Sequence, residues 1–451
     1  MPGSYRGRAR DSVIRVLSPG IPRLPFVPDP LRRIKVPKDL EPLTSVTDEA
    51  DPADGGLTRD SVEAIWAAVE RLYRSGVHPA ITVCVRREGA VVLDRAIGHE
   101  RGNGPGDPED AVRVPARPET PFTIYSASKA IAATVAHILD GEGAIHLGDR
   151  VSEYIPEYAR HGKDAITIAH VLSHRAGVAN LPPEALDLDM AGDLDRICEI
   201  ICDAKPASRP GKMLAYHAIS GGFIIGEIVR RVTGKDIRAV LAERVLDPLG
   251  FRWTNFGVAP EDVPLVAVNY PTGAPVVPPL SNLLERALGN SPDEVTRISN
   301  DPRFLTAIIP SANTVTTANE LSRFFELLRR GGELDGVRVL EPRTIRRALT
   351  EQSYREVDFT LGFPARYGLG FILGAKLLSL YGPDTELAFG HLGFTNILGW
   401  ADPERAISAA LITSGKPVLY PELANLWALT RRIGAEAPKT SESALAFPAT
   451  A

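Results

Sequence analysis

The chain predicts an α/β fold in which an antiparallel sheet is assembled from both chain ends around a mainly helical region. Three observations lead there. β-branched runs fill "AITVCVRREGAVVLDRAIG" on the N-terminal side, a second set fills "YGLGFILG", "AFGHLGFTNILGWAD" and "RAISAALITSG" far downstream, and helical periodicity dominates residues 121–350 between them. The 451 residues supply interior enough for a sizeable core. A composition of 44% hydrophobic and 24% charged residues argues against long disorder, collagen or a membrane bundle. The net charge of -5 gives no basic field for nucleic acid.

Taken in order, residues 1–55 are rich in Pro, Arg and Asp and read as an N-terminal arm or linker. The opening "MPGSYRGRARDSVIRVLSPG" lacks the apolar stretch of a secretory signal, which predicts a cytoplasmic protein and leaves peripheral attachment to a membrane or the cell envelope open. No run reaches the length of an integral membrane span. Residues 58–76 carry apolar side chains at helical spacing (Val62, Ile65, Trp66, Val69, Leu72), with Thr58 or Asp60 as cap and Gly76 as stop. The β-branched runs on either side of "REG" form a hairpin. "GHERGNGPGD" lacks the G-K-[ST] of a phosphate loop and reads as a surface loop. Helices are expected in "SKAIAATVAHILDGEG", "FIIGEIVRRVTG", "IRAVLAERVLDPLG" and "TANELSRFFELLRRGG", and a last one near "PELANLWALTRRIGA". The main domain is thus placed at 56–435, with a sheet region at 56–120 plus 351–435, a helical region at 121–350 and a tail at 436–451.

Cys84, Cys198 and Cys202 are odd in number and suit buried thiols in a reducing compartment better than a disulfide framework. Cys198 and Cys202 could share a helix face, but no zinc spacing accompanies them, so no metal is expected.

The chemistry concentrates in "TPFTIYSASKAIAATVAHILDGEG". Ser126 and Lys129 are three apart at the start of a helix, so both side chains can enter one cleft. A serine hydroxyl needs a base to accept its proton, and a lysine whose pKa is lowered by burial can serve without histidine. The N–H of Ser126 at a helix start can face a developing oxyanion.

Downstream stand "ITIAHVLSHRAGVANLP", "RPGKMLAYHAISGGFIIGEIVRRVTGKDIRAVLAERVLDPLGF" and "FGHLGFTNILGWADPERAISAALITSG". With these motifs in this order, residues 60–430 resemble the serine β-lactamase and penicillin-binding protein superfamily, and within it the β-lactamase-like (family VIII) carboxylesterases. The resemblance implies the β-lactamase-like (DD-peptidase) fold, Ser126 as acyl-accepting nucleophile, Lys129 as its partner base and Tyr216 as second base and proton donor. A tyrosine suits that work if neighbouring positive charge draws its pKa down from ~10. The third motif, His391, Leu392 and Gly393, matches the strand that carries K-T-G in β-lactamases. Gly393 would let an edge strand approach the acyl group, and the N–H of Phe394 would complete the oxyanion site.

Two departures bear on substrate. Tyr216, His217, Ala218 stands where β-lactamases have Tyr-x-Asn, so the amide that holds an acylamino group is missing there. Asn313 in "PSANTVTT" could supply an amide from another direction or serve a turn. His391 replaces the K-T-G lysine, and a neutral imidazole anchors a substrate carboxylate poorly. His217 could line the cleft or tune Tyr216. His170 and His174 flank a helix end and read as structural, and G-x-S-x-G does not occur, which argues against a Ser-His-Asp triad.

The expectation is therefore a serine hydrolase acting on short-chain or neutral carboxylic esters through an acyl-enzyme, with no metal or organic cofactor, a small-molecule ester as partner, and no nucleic acid. Acyl transfer, residual β-lactamase or D-amino-acid peptidase activity, and a catalytically silent binding role remain alternatives. The sequence leaves the oligomeric state open.

Overall fold

The computed structural model describes residues 29–182, 187–354, 356–418 and 423–440. Thirteen strands run through these segments. β1 (Thr44–Val46), β2 (Ala80–Arg87), β3 (Ala90–Arg101) and β4 (Val114–Pro115) come first. β5 (Phe122–Thr123), β6 (Asn255–Phe256) and β7 (Thr314–Thr316) form a small separate sheet. β8 (Glu333–Leu334) pairs with β9 (Val337–Arg338), and β10 (Ile372–Leu373), β11 (Phe389–Gly393), β12 (Ile397–Asp402) and β13 (Ile407–Thr413) complete the set.

The main sheet has the order β1-β3-β2-β13-β12-β11-β10, with β4 paired to β3. Its centre is the antiparallel pair of β2 with β13, in which Val83 faces Leu411 and Cys84 faces Ala410. The first and last parts of the chain thus share one sheet, as the sequence predicts. The β2–β3 hairpin turns at Glu88 and Gly89, both at positive φ (50° and 90°), the twist that a two-residue hairpin loop requires.

Both faces of the sheet are covered. Ile81, Val83 and Val85 join Leu398, Trp400 and Leu411 against the helices Arg59–Tyr73 and Leu423–Glu436. Thr58 caps the first of these, its Oγ1 accepting from the Ser61 N–H at 3.1 Å, worth about 1 kcal/mol. The opposite face is lined by small residues. A Cβ on Gly399 would lie 2.6 Å from the Phe325 ring, so the helix Ala318–Arg329 lies close against the strands. Deepest in the helical region is Ser128–Gly141, buried along nearly its whole length because alanines let neighbours approach from every side.

Two expectations need correction. Of the presumed arm 1–55, residues 29–55 are integrated: β1 pairs with β3, and Ile34 and Leu40 are buried in the core. Three paired residues make too short a strand to show alternation, and prolines around them mask the burial. Of the presumed tail, Ala437 is buried and the Thr440 N–H donates to Glu404 O. The opening residues 1–28 and the end 441–451 lie outside the described residues. Among the described residues no helix is long and apolar enough to cross a membrane. All three cysteines are free and buried, with Cys198 and Cys202 sulfurs 4.0 Å apart on the helix Leu194–Asp203.

Candidate active site

Ser126 lies in a 3-10 turn, Tyr125–Ala127, one step ahead of the helix Ser128–Gly141 rather than in its first turn. Tyr125 before it has φ +48°, a conformation that costs energy for any side chain bearing a Cβ. Several contacts hold it there. The Tyr125 hydroxyl meets Ser299 Oγ at 2.7 Å, its ring stacks on Phe394 with centroids 5.2 Å apart, and Lys416 Nζ sits 5.2 Å from the ring centroid. The Ser128 hydroxyl donates to Tyr125 O and accepts from the Thr314 N–H, tying the turn to β7.

Lys129 follows one turn on. Its Nζ lies 3.1 Å from Ser126 Oγ and donates to Ala218 O at 2.8 Å and Ser311 O at 3.1 Å. The carbonyls come from distant segments that converge because Gly222 has no side chain: a Cβ there would lie 2.3 Å from Ser311 Oγ. The Gly222 N–H donates to that same hydroxyl. "GGF" at 221–223 is therefore a packing device. Among the described residues no carboxylate pairs with the amine, and burial pulls the Lys129 pKa down to about 7.

Tyr216 has the Ser126 hydroxyl as a side-chain hydrogen-bond partner, and Lys129 Nζ lies 4.8 Å from its ring centroid. The expected lowering of its pKa by positive charge does not occur. Burial, aided by the Asp358 carboxylate, raises it above the ordinary tyrosine range, and the Ser126 bond offsets only part of that rise. Tyr216 thus stays a protonated phenol.

The support for Tyr216 is where sequence reasoning fell short. Asp358, fully buried, accepts from the Tyr216 N–H at 3.0 Å and from the Tyr367 hydroxyl at 3.2 Å. His174 stands between Tyr216 (4.7 Å between centroids) and Tyr367 (4.9 Å), and its Nδ1 accepts from the His217 N–H at 3.2 Å, leaving the proton on Nε2. Burial holds His174 well below the usual histidine range and His217, which stacks on it, at about 4. His174 lies just past the end of the helix Ile168–Leu172 and packs between the two tyrosines. Asp358 lies 142 residues from Tyr216, and no local pattern announces it.

The third motif lies on β11. Gly393 is indispensable by geometry: a Cβ there would meet Ile124 O at 2.1 Å, so the strand touches the serine turn through backbone alone. β11 is not the edge strand that was expected. β10 lies outside it, but pairs only with Phe389 and Gly390, so Leu392 and Gly393 extend beyond its reach. Phe394 follows at φ +49°. His391 Nδ1 donates to Leu392 O at 2.8 Å, and burial with the nearby Lys129 pulls its pKa down to about 3, so it is neutral at physiological pH.

Asn313 is corrected outright as a substrate amide. Fully buried, it donates from Nδ2 to Phe304 O and Ala307 O, both at 2.8 Å, and accepts the Ile309 N–H on Oδ1 at 3.0 Å. These bonds hold the loop that presents Ser311 O to Lys129 and leave the amide nothing to offer a ligand.

A model of the family described as Beta-lactamase matches residues 65–431. The chain belongs to the beta-lactamase family. Within this beta-lactamase family it is 31% identical over 305 residues to Esterase/beta-lactamase LipL of Mycobacterium tuberculosis, covering 64% of this chain and 68% of that protein. The crystal structure of a family VIII carboxylesterase is similar with a TM-score of 0.72 at 28% identity, covering 84% of this chain and 99% of that one. A penicillin-binding protein homolog from Caulobacter crescentus is similar with a TM-score of 0.71 at 28% identity, covering 86% and 100%. The fold is thus beta-lactamase-like, and the protein is a hydrolase of beta-lactamase-like type.

Proposed function

We propose that this protein is a serine carboxylesterase that hydrolyses neutral carboxylic esters through an acyl-enzyme on Ser126. One observation carries the reading. A neutral lysine amine has two N–H bonds and one lone pair, and the Lys129 amine has two carbonyl acceptors, Ala218 O and Ser311 O, beside Ser126 Oγ. With both hydrogens committed to carbonyls, the lone pair is left for the serine proton, and a pKa of about 7 makes that form well populated at neutral pH.

In this scheme Ser126 Oγ attacks the ester carbonyl as its proton passes to Lys129. Tyr216, protonated and hydrogen-bonded to the serine, gives a proton to the departing alcohol and is replenished from Lys129. The N–H groups of Ser126 and Phe394 are the oxyanion donors, an assignment supported by the backbone contact of Gly393 with the serine turn. Water then attacks the acyl-enzyme by the same route. Three positions support a neutral substrate: His391 is discharged, Ala218 offers no amide, and the Asn313 amide is fully engaged. These features count equally against β-lactam and D-amino-acid peptide substrates.

Hydrolysis of p-nitrophenyl butyrate by wild type and Ser126→Ala, matched in circular dichroism, tests the reading. Wild-type turnover that falls by about 10⁴-fold or more in the variant is expected. Comparable turnover in both would mean that Ser126 is not the nucleophile. Inertness of wild type toward esters and toward a fluorophosphonate probe would favour a silent binding protein.

A further inference from the structure

The two proposed oxyanion N–H groups share a backbone feature. Tyr125, whose following peptide carries the Ser126 N–H, has φ +48°, and Phe394, which carries the other N–H, has φ +49°. An aromatic residue is costly in this left-handed region, and such strain persists only where the surroundings impose it. A glycine at either position would remove the cost, so the course of the backbone does not by itself explain the two rings.

What the rings add is a contact with each other. They stack with centroids 5.2 Å apart and planes inclined by 19°. Each ring leaves a Cα that borders the peptide plane of its N–H, so the stack ties the orientation of one N–H to that of the other. Each partner is also anchored on its own side. Ser299 Oγ donates to Thr296 O at 2.7 Å and accepts from Asn269 Nδ2 at 3.2 Å, which makes the buried Tyr125 hydroxyl the donor in their 2.7 Å bond. Half-buried Phe394 sits in the turn between β11 and β12, closed by the Asn396 N–H on Gly393 O at 3.3 Å. The fully buried Asn396 side chain donates to Gly415 O at 3.0 Å and accepts from Thr413 Oγ1 at 2.8 Å, pinning that turn to the end of β13. The stack is where these two frameworks meet.

We infer that Tyr125 and Phe394 are positioning residues, whose ring stack holds the N–H groups of Ser126 and Phe394 in register around one oxyanion. This role rests on the esterase reading and deepens it. A tetrahedral oxyanion draws on both donors at once, whereas a planar ester carbonyl in the ground state depends on them far less. Loss of the stack therefore falls on kcat and leaves KM in place. Because one contact joins the two rings, removing the second ring after the first costs nothing more.

The test measures kcat and KM on p-nitrophenyl butyrate, and affinity for trifluoroacetophenone and for acetophenone, in wild type, Phe394→Ala, Tyr125→Ala and the double variant. In the trifluoromethyl ketone adduct Ser126 Oγ bonds to the carbonyl carbon, the carbonyl π pair becomes the oxyanion, and the serine proton passes to Lys129. Each single variant should lower kcat and trifluoroacetophenone affinity together, by about thirtyfold, with KM and acetophenone affinity unchanged. The double variant should match the weaker single, and Phe394→Tyr, which keeps a ring, should recover most of the loss. Phe394 is half-buried, so Phe394→Ala decides the matter even if Tyr125→Ala does not fold. Unchanged kcat in Phe394→Ala overturns the inference, as does a rise in KM alone, which would make the ring a substrate contact. Losses that multiply to about a thousandfold in the double variant would mean that the rings act separately, and overturn it too. A wild type that binds trifluoroacetophenone tightly without hydrolysing esters would fail the esterase reading, while the same affinities still decide the role of the stack. A wild type that binds the two ketones equally and turns over no ester would overturn both.

Discussion

The two sides of the cleft are held in different ways. Ser126 and Lys129 are three residues apart, and the 3-10 turn of Ser126 running straight into the helix that begins at Ser128 sets their relation. Tyr216 instead sits in an irregular segment and is held from outside by Asp358, His174 and Tyr367. The serine–lysine side is local geometry, and the tyrosine side is tertiary assembly. The difference teaches that damage to each should look different: loss of chemistry with an intact frame on one side, and loss of position on the other.

The largest effect after Ser126 is expected at Lys129. Lys129→Ala should lower kcat by about 10³-fold and Tyr216→Phe by about 10²-fold, because the first removes the base and the second a proton donor that water can partly replace. Steady-state kinetics on a p-nitrophenyl ester decide it, and equal activity in Tyr216→Phe would remove the tyrosine from the mechanism. Next comes the support. Asp358→Ala should reduce kcat about tenfold and cost about 3 kcal/mol in urea unfolding, since buried donors lose their acceptor. Asp358→Asn keeps an oxygen toward the Tyr216 N–H and should recover most of the rate; if Asn is as impaired as Ala, charge rather than position is what matters at 358.

A pH profile reads the serine–lysine side alone. The active form of Lys129 is unprotonated, so kcat/KM should rise with pH and reach half its plateau near the Lys129 pKa of about 7. A limb near the ordinary lysine value would show an amine that is solvated during turnover. The smallest effect is expected for His391→Lys. A cation there should raise activity on carboxylate-bearing esters a few-fold relative to neutral ones, and it should move the acid limb below that of wild type by repelling the lysine proton. A flat substrate ratio would dissociate position 391 from substrate charge.

The same contrast explains what could be read from the chain. The pairing of β2 with β13 is legible because both are long, β-branched and buried, and the S-x-x-K spacing is legible because a helix converts it into proximity. β1 and β5–β7 escape notice, since two or three residues cannot display a period. Asp358 looks like any loop aspartate until folding buries it against Tyr216. The pKa of Tyr216 is hidden for a related reason: the motif order puts a lysine near by, but only the packing shows that burial outweighs it.

The contact of Gly393 with Ile124 O has a consequence for how such a protein can change over generations. Most surface positions tolerate many residues, and even a core position accepts a methylene more or less. At 393 the smallest side chain already collides with a main-chain oxygen, and no rotamer relieves a clash made by Cβ itself. Drift there is closed, so new substrate preferences must be acquired around this point of contact and never through it.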